Sequence, residues 1–293
     1  MAPVCISGLC VGLRLLCCAA ATPAARRPPA SARLLSTGTA QPPRLLVVGG
    51  GGYIGSHVCA AAVREGVEVV SLSRSGKTLS KDAWVSRVTW QQGDALGMSP
   101  ADWQRVCTPT PSAVVLCVGA FGTHAAMVRA CGDTNARAAE ACHDLGVLRC
   151  VFVSAHMYSS VLAQAALRGY FEGKRRAEEE VFRLYDDNAV VLRPTFVHGT
   201  RHVSEGRAID LGLVGRPLER IMRTRAAASL CAALRHLPLA GGVAELALVP
   251  PVSAQAVAHV ALLAALDPSL SGVLTVHDIH RLKDEPVVVP PLS

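Results

Sequence analysis

Tyr170 and Lys174, in Tyr170-Phe171-Glu172-Gly173-Lys174, set a phenol and an ammonium four residues apart, on one face of a helix. A phenol with a reference pKa of about 10 is a poor proton donor or acceptor at neutral pH until a nearby cation stabilises its phenolate. Lys174 has the spacing to be that cation. Ser154, closing a β-rich run, has a hydroxyl suited to orienting a carbonyl. The chemistry these three support is proton transfer at a carbonyl. The same spacing also occurs on helix faces that do no chemistry.

A second set of residues points to phosphate. Leu45-Leu46-Val47-Val48 runs into Gly49-Gly50-Gly51-Gly52-Tyr53-Ile54-Gly55, a strand, a glycine turn and a helix start. Gly49 permits the tight turn, Gly52 lets backbone approach a pyrophosphate, and Gly55 allows close packing of helix on sheet. The N–H groups of Tyr53, Ile54 and Gly55 then open the helix, with its positive dipole end toward the phosphates. A dinucleotide site selective for NAD ends its second strand in Asp or Glu. Here that place reads Ser71-Leu72-Ser73-Arg74-Ser75. With no carboxylate to repel a 2′-phosphate, and a guanidinium to grip it, Ser73 and Arg74 predict NADP(H) in preference to NAD(H). Asp94, ending the third strand, either accepts from the adenine amino group or caps a turn.

Positioning such residues requires strands that alternate with helices. Arg44–Val48, Glu68–Leu72, Val88–Gln91, Ala113–Val118, Leu148–Ser154 and Ala189–Arg193 read as strands, with helical stretches from Ser99-Pro100, over Thr123–Leu145 and over Tyr170–Tyr185. This alternation predicts an α/β fold, a doubly wound parallel sheet of the Rossmann type. After Pro194 the pattern loosens. A strand at Leu246–Val249, a helix capped by Ser253 and running to Leu266, and a strand at Gly272–Val276 close the chain. We expect a leader over 1–35, a dinucleotide-binding domain over 44–197, and a small substrate or partner lobe over 198–293 that interleaves with the core.

The chain has 293 residues, 51% apolar and 17% charged, enough for one large domain and too apolar for disorder. Of the net charge of +7, residues 1–40 supply four arginines and no acid. The remainder is close to neutral, which argues against a nucleic-acid partner. The acid-free start reads as an organellar targeting peptide, with Arg33-Leu34-Leu35-Ser36 resembling a mitochondrial processing site. The mitochondrial matrix, or the matrix face of the inner membrane, is the expected compartment, with a plastid as the alternative. No run is suited to spanning a bilayer. Four of the 11 cysteines lie in the leader, and the others lack CxxC spacing, so they read as reduced core residues with no metal site. The basic stretch Arg216–Arg225 beside Leu213, Leu218 and Ile221 reads as a solvated helix face or as a membrane-surface module.

Ser154, Tyr170 and Lys174 together resemble the catalytic group of the short-chain dehydrogenase/reductase (SDR) family, with Asn135 matching an Asn that many of its enzymes use. Leu192–Gly199 (LRPTFVHG) resembles the extended-SDR stretch leading into the substrate lobe. Val118–Gly122, Ser154-Ala155-His156, Tyr170–Glu178 and Pro250–Ser253 narrow the resemblance to an atypical branch. That branch contains mitochondrial and plastid NAD(P)-binding proteins related to the SDR-like factor of coenzyme Q biosynthesis. The NAD(P)H-binding accessory subunit of respiratory complex I is a more distant relative. The resemblance implies an oxidoreductase in which Tyr170 moves a proton, Lys174 holds the nicotinamide ribose, Ser154 polarises a quinone-related substrate, and Gly119 lies against the nicotinamide. Its alternative is a non-catalytic cofactor-binding protein of a membrane-associated biosynthetic or respiratory complex.

Overall fold

Four consecutive apolar residues cannot alternate between core and solvent, so Leu45–Val48 requires cover on both faces. In the computed structural model, which describes residues 43–157, 165, 167–204, 207–222, 224, 229 and 249–289, each of the four is at most 2% exposed. They form β1 (Arg44–Val48), followed by α1 (Tyr53–Arg64), β2 (Glu68–Ser73), β3 (Val88–Gln92), α2 (Pro100–Val106) and β4 (Ala113–Leu116). Next come α3 (His124–Val128), a π turn over Arg129–Asp133, α4 (Thr134–Asp144), β5 (Cys150–Val153), α5 (Arg168–Tyr185) and β6 (Ala189–Arg193). The C-terminal third supplies β7 (Val197–His198), β8 (Thr200–Ser204), β9 (Arg207–Asp210), α6 (Gly212–Met222), β10 (Val252–Ser253), α7 (Ala254–Leu266), β11 (Gly272–Thr275) and α8 (Val276–Leu282).

Seven strands make one sheet in the order β3-β2-β1-β4-β5-β6-β11, and every neighbouring pair is parallel. The order reverses between β1 and β4, and ligands of such sheets bind beyond the carboxyl ends of the strands at that reversal. Alternate residues of the strands feed two cores. Leu45, Val47, Val115 and Val151 pack with α1, α7 and α8. Leu46, Val48, Leu116 and Phe152 pack with α2, α4 and α5 on the opposite face. The helix α7 is apolar almost all round and buried almost all round, as that pattern demands.

Several boundaries differ from the sequence expectation, each for a local reason. The fourth strand stops at Leu116, and after the Cys117 N–H donates to Val48 O at 2.8 Å the chain leaves the sheet. The fifth begins at Cys150, because Leu148, in the segment ahead of it, is 76% exposed. The helical stretch from Thr123 to Leu145 is interrupted by the π turn, where the Asn135 amide donates to the carbonyls of Ala130 and Cys131. The last strand ends at Thr275, whose side chain starts α8 through a capping box with Asp278.

The chain from Val252 onward returns to the core: β10 pairs with β7, and β11 extends the main sheet beside β6. The two-stranded sheet β7–β10, the hairpin β8–β9 and α6 lie outside the main sheet and its two helical layers. The leader, Cys231 and the strand expected at Leu246–Val249 lie outside the described residues, except Val249, which is in a bend. The six described cysteines are free thiols. Among the described residues no helix is long and apolar enough to cross a membrane.

Candidate functional site

The glycine turn joins β1 to α1 at the reversal point. Gly49 has φ +88°, a conformation that L side chains disfavour. Its N–H donates to Leu72 O at 2.7 Å, and the Gly52 N–H donates to Gly49 O at 2.9 Å. At Gly55 a Cβ would stand 2.2 Å from Gly49 O and 2.7 Å from Gly50 Cα, so the helix can start this close to the strand only without a side chain there. Gly52 is the N-cap of α1, with no side-chain cap and no acid in the first turn. The opening N–H groups and the positive end of the helix are therefore not neutralised by side chains of that turn. Ile54 packs on the core. The Tyr53 hydroxyl is buried without a hydrogen-bond partner among the described residues, and burial pushes its pKa up to about 12. Arg201 lies 6.0 Å over the Tyr53 ring.

At the end of β2 the Ser73 carbonyl accepts from Gly76 and Gly93 N–H, and the Ser73 hydroxyl is buried without a partner among the described residues. The following loop folds back onto the glycine turn, so that a Cβ at Gly51 would meet Lys77 O at 2.4 Å. Arg74 and Lys77, in this loop, are both exposed. The Asp94 Oδ1 accepts from Leu96 N–H at 3.2 Å, capping a turn, and its carbonyl accepts from Gly97 and Met98.

Beyond the ends of β4 and β5 lies the second set. Lys174 is buried, and its Nζ donates to Val153 O at 2.7 Å and to Val118 O at 3.3 Å. Nζ also stands 4.7 Å from the Phe152 ring centre and 5.8 Å from that of Tyr170. Burial lowers the Lys174 pKa, with Cys131, Cys117 and Glu178 opposing. A Cβ at Gly119 would be 3.8 Å from Nζ, so the loop after β4 passes directly by the ammonium. Ser154 follows Val153; its N–H donates to Leu192 O, and its hydroxyl is buried without a partner among the described residues. Asn135 donates to Val118 O at 3.0 Å, the same carbonyl that Lys174 reaches.

The structure thus gathers Lys174, Gly119, Asn135, the end of β5 with Ser154, and the Tyr170 ring around one ammonium. The glycine turn, Ser73 and Arg74 form a second group, and Asp94 is engaged in its own turn. Two features escaped the sequence reading. Phe121 is 68% exposed and lies flat on Tyr170, with ring centres 5.1 Å apart and planes at 19°; an aromatic between Gly119 and Gly122 was the available signal. Gly132 and Gly173 meet where the π turn touches α5: a Cβ at Gly173 would fall 2.9 Å from Gly132 N. A glycine inside each helical stretch was the signal there.

A family model described as "NAD dependent epimerase/dehydratase family" matches residues 45–222. An uncharacterized chloroplastic protein of Arabidopsis thaliana is 37% identical over 230 residues, covering 78% of this chain and 73% of that one. Among solved structures, the Bordetella bronchiseptica enzyme WbmH in complex with NAD+ superimposes with a TM-score of 0.52 at 15% identity, over 80% of this chain and 74% of WbmH. UDP-N-acetylglucosamine 4-epimerase from Bacillus cereus gives a TM-score of 0.50 at 14% identity, over 80% of this chain and 77% of that one. At such identities the likeness is one of fold. The chain spans 59% and 63% of two other UDP-sugar epimerases that it matches.

Proposed function

From the premise that the chain belongs to the NAD dependent epimerase/dehydratase family, we propose that it is an organellar oxidoreductase that binds a nicotinamide dinucleotide and favours NADP(H). The residues present fit that group. A glycine turn with φ +88° at Gly49, no room for a Cβ at Gly55 and an uncapped helix start make a cradle for a pyrophosphate. The buried hydroxyls of Ser73 and Ser154 await acceptors or donors. Arg74 is exposed beside a strand end that lacks a carboxylate, which supports recognition of a 2′-phosphate.

The observation that carries the reading is the buried Lys174 ammonium between the ends of β4 and β5, 5.8 Å from the Tyr170 ring. When bound, the dinucleotide supplies hydride transfer. In this reading the Lys174 charge favours the phenolate of Tyr170, so that the phenol gives up its proton to a substrate oxygen. Ser154 donates to the same oxygen and orients the carbonyl. A quinone-ring substrate rests on the sequence resemblance alone. For the compartment, the chloroplastic designation of the Arabidopsis relative supports the plastid alternative. The mitochondrial reading draws on the leader's composition and on Arg33-Leu34-Leu35-Ser36.

One contact favours the non-catalytic alternative: Phe121 lies flat on the Tyr170 ring. One assay separates the two. The purified protein is denatured, the released dinucleotide is identified, and oxidation of bound NADPH by quinone analogues is followed. For the oxidoreductase we expect oxidation in the wild type and a rate about 10²- to 10⁴-fold lower in Tyr170→Phe. A retained dinucleotide whose redox state no analogue changes would assign the structural role. Failure to retain or take up any pyridine nucleotide would defeat both.

A further inference from the structure

The two sides of α6 differ in kind. Gly212 and Gly215 are buried, and a Cβ at Gly215 would fall 2.2 Å from His198 Cβ, so this side of the helix rests on β7. Glu219, one turn on, faces the same way. Its Oε2 is 2.7 Å from His198 Nε2, and its Oε1 is 3.5 Å from His280 Nδ1 on α8. The one carboxylate of the helix is thereby turned inward.

The opposite side is an apolar ridge. Leu213, Pro217 and Ile221 recur at every fourth residue and are all exposed, Leu213 by 76% and Ile221 by 64%. Leu218 borders the ridge on one flank. Arg216 and Arg220 border it on the other, both exposed, with Asp210 3.5 Å from Arg216. An outward apolar stripe beside basic side chains, with the acid withdrawn, is the pattern of a helix that lies in a membrane interface. The arginine stems can lie along the ridge while their heads stay at the level of lipid phosphates. Two copies joined through this ridge would each bring the same positive flank, which disfavours self-association.

We infer that the outward face of α6 docks on an anionic membrane surface, with Leu213, Pro217 and Ile221 at the headgroup–acyl boundary and Arg216 and Arg220 against lipid phosphates. The attachment lies on the bilayer and does not cross it. It is independent of the cofactor chemistry proposed above.

Flotation of the full chain with vesicles of phosphatidylcholine alone, or of phosphatidylcholine with phosphatidylglycerol, tests it. Wild type floats with the anionic vesicles and much less with the neutral ones. Arg220→Gln lowers the anionic partition about fivefold. Leu213→Ser with Ile221→Ser brings flotation to background while the circular dichroism spectrum and thermal transition stay those of wild type, because both side chains are exposed. Three results overturn the inference: no flotation of wild type with either lipid, flotation indifferent to lipid charge, or flotation of the double variant equal to wild type. The last would assign lipid binding to another segment, such as the basic N-terminal stretch. A wild-type dimer that does not float, and that the double variant dissociates, would overturn it in favour of a second copy.

Discussion

Lys174 is the residue whose chemistry depends most on its surroundings. In water its ammonium is an ordinary cation; here it is buried, held by two backbone carbonyls and an aromatic face. Burial lowers its pKa below the unfolded value of 10.5. Between the two values the unfolded chain binds more protons than the folded one, so this group makes stability rise with pH across that interval. The penalty is fully present below the folded pKa and is relieved as pH approaches 10.5. Urea unfolding of wild type and Lys174→Met at several alkaline pH values should show the wild type gaining on the variant as pH rises; parallel curves would mean that the lysine is not desolvated. At Arg74 the effect belongs to binding. Losing charge-assisted hydrogen bonds to a 2′-phosphate should weaken NADPH binding by Arg74→Ala about ten- to a hundredfold and leave NADH nearly unchanged, as read by fluorescence titration.

Among the elements, α5 positions the site and depends on a contact without side chains. Gly173 faces the π turn, and a methyl there would stand 2.9 Å from Gly132 N and 3.1 Å from both Val128 O and Cys131 Cβ. Backbone cannot yield as a flexible side chain can, so α5 must move away. Gly173→Ala should cost about 1–3 kcal/mol in urea unfolding and lower the proposed NADPH oxidation, because Tyr170 and Lys174 move with the helix. The ion pair from Arg193 Nε to Glu178 Oε1, at 3.0 Å, ties the same helix to β6 and limits that movement.

For the whole molecule, the question is how the last forty residues are held to the first two hundred. Arg149, just before β5, donates through Nε to Ala264 O and through Nη2 to the carbonyls of Asp267 and Leu270, closing the C-terminal end of α7. It is buried, and burial lowers its pKa to about 10. Since α7 covers one face of the sheet and β11 extends its edge, this side chain adds polar links to the apolar packing and strand pairing that join the late elements to the centre. Arg149→Met would leave those carbonyls without their donor. We expect a loss of about 2–4 kcal/mol in a single cooperative transition, measured by urea denaturation. Stability equal to that of wild type would mean that α7 and β11 are held independently of Arg149.

The amino-acid order by itself determined the strands from β1 to β6, the glycine turn and the Tyr–Lys spacing. Each rests on neighbours in the chain: apolar runs that need two-sided cover, and the steric freedom of Gly49 and Gly55. Tertiary structure alone decided that Phe121 lies on Tyr170, and that Arg149 reaches carbonyls more than a hundred residues away. It also decided which side of α6 faces out. Periodicity says that a helix has two sides, but which one is buried depends on where His198 and His280 arrive, and packing of the whole chain sets that.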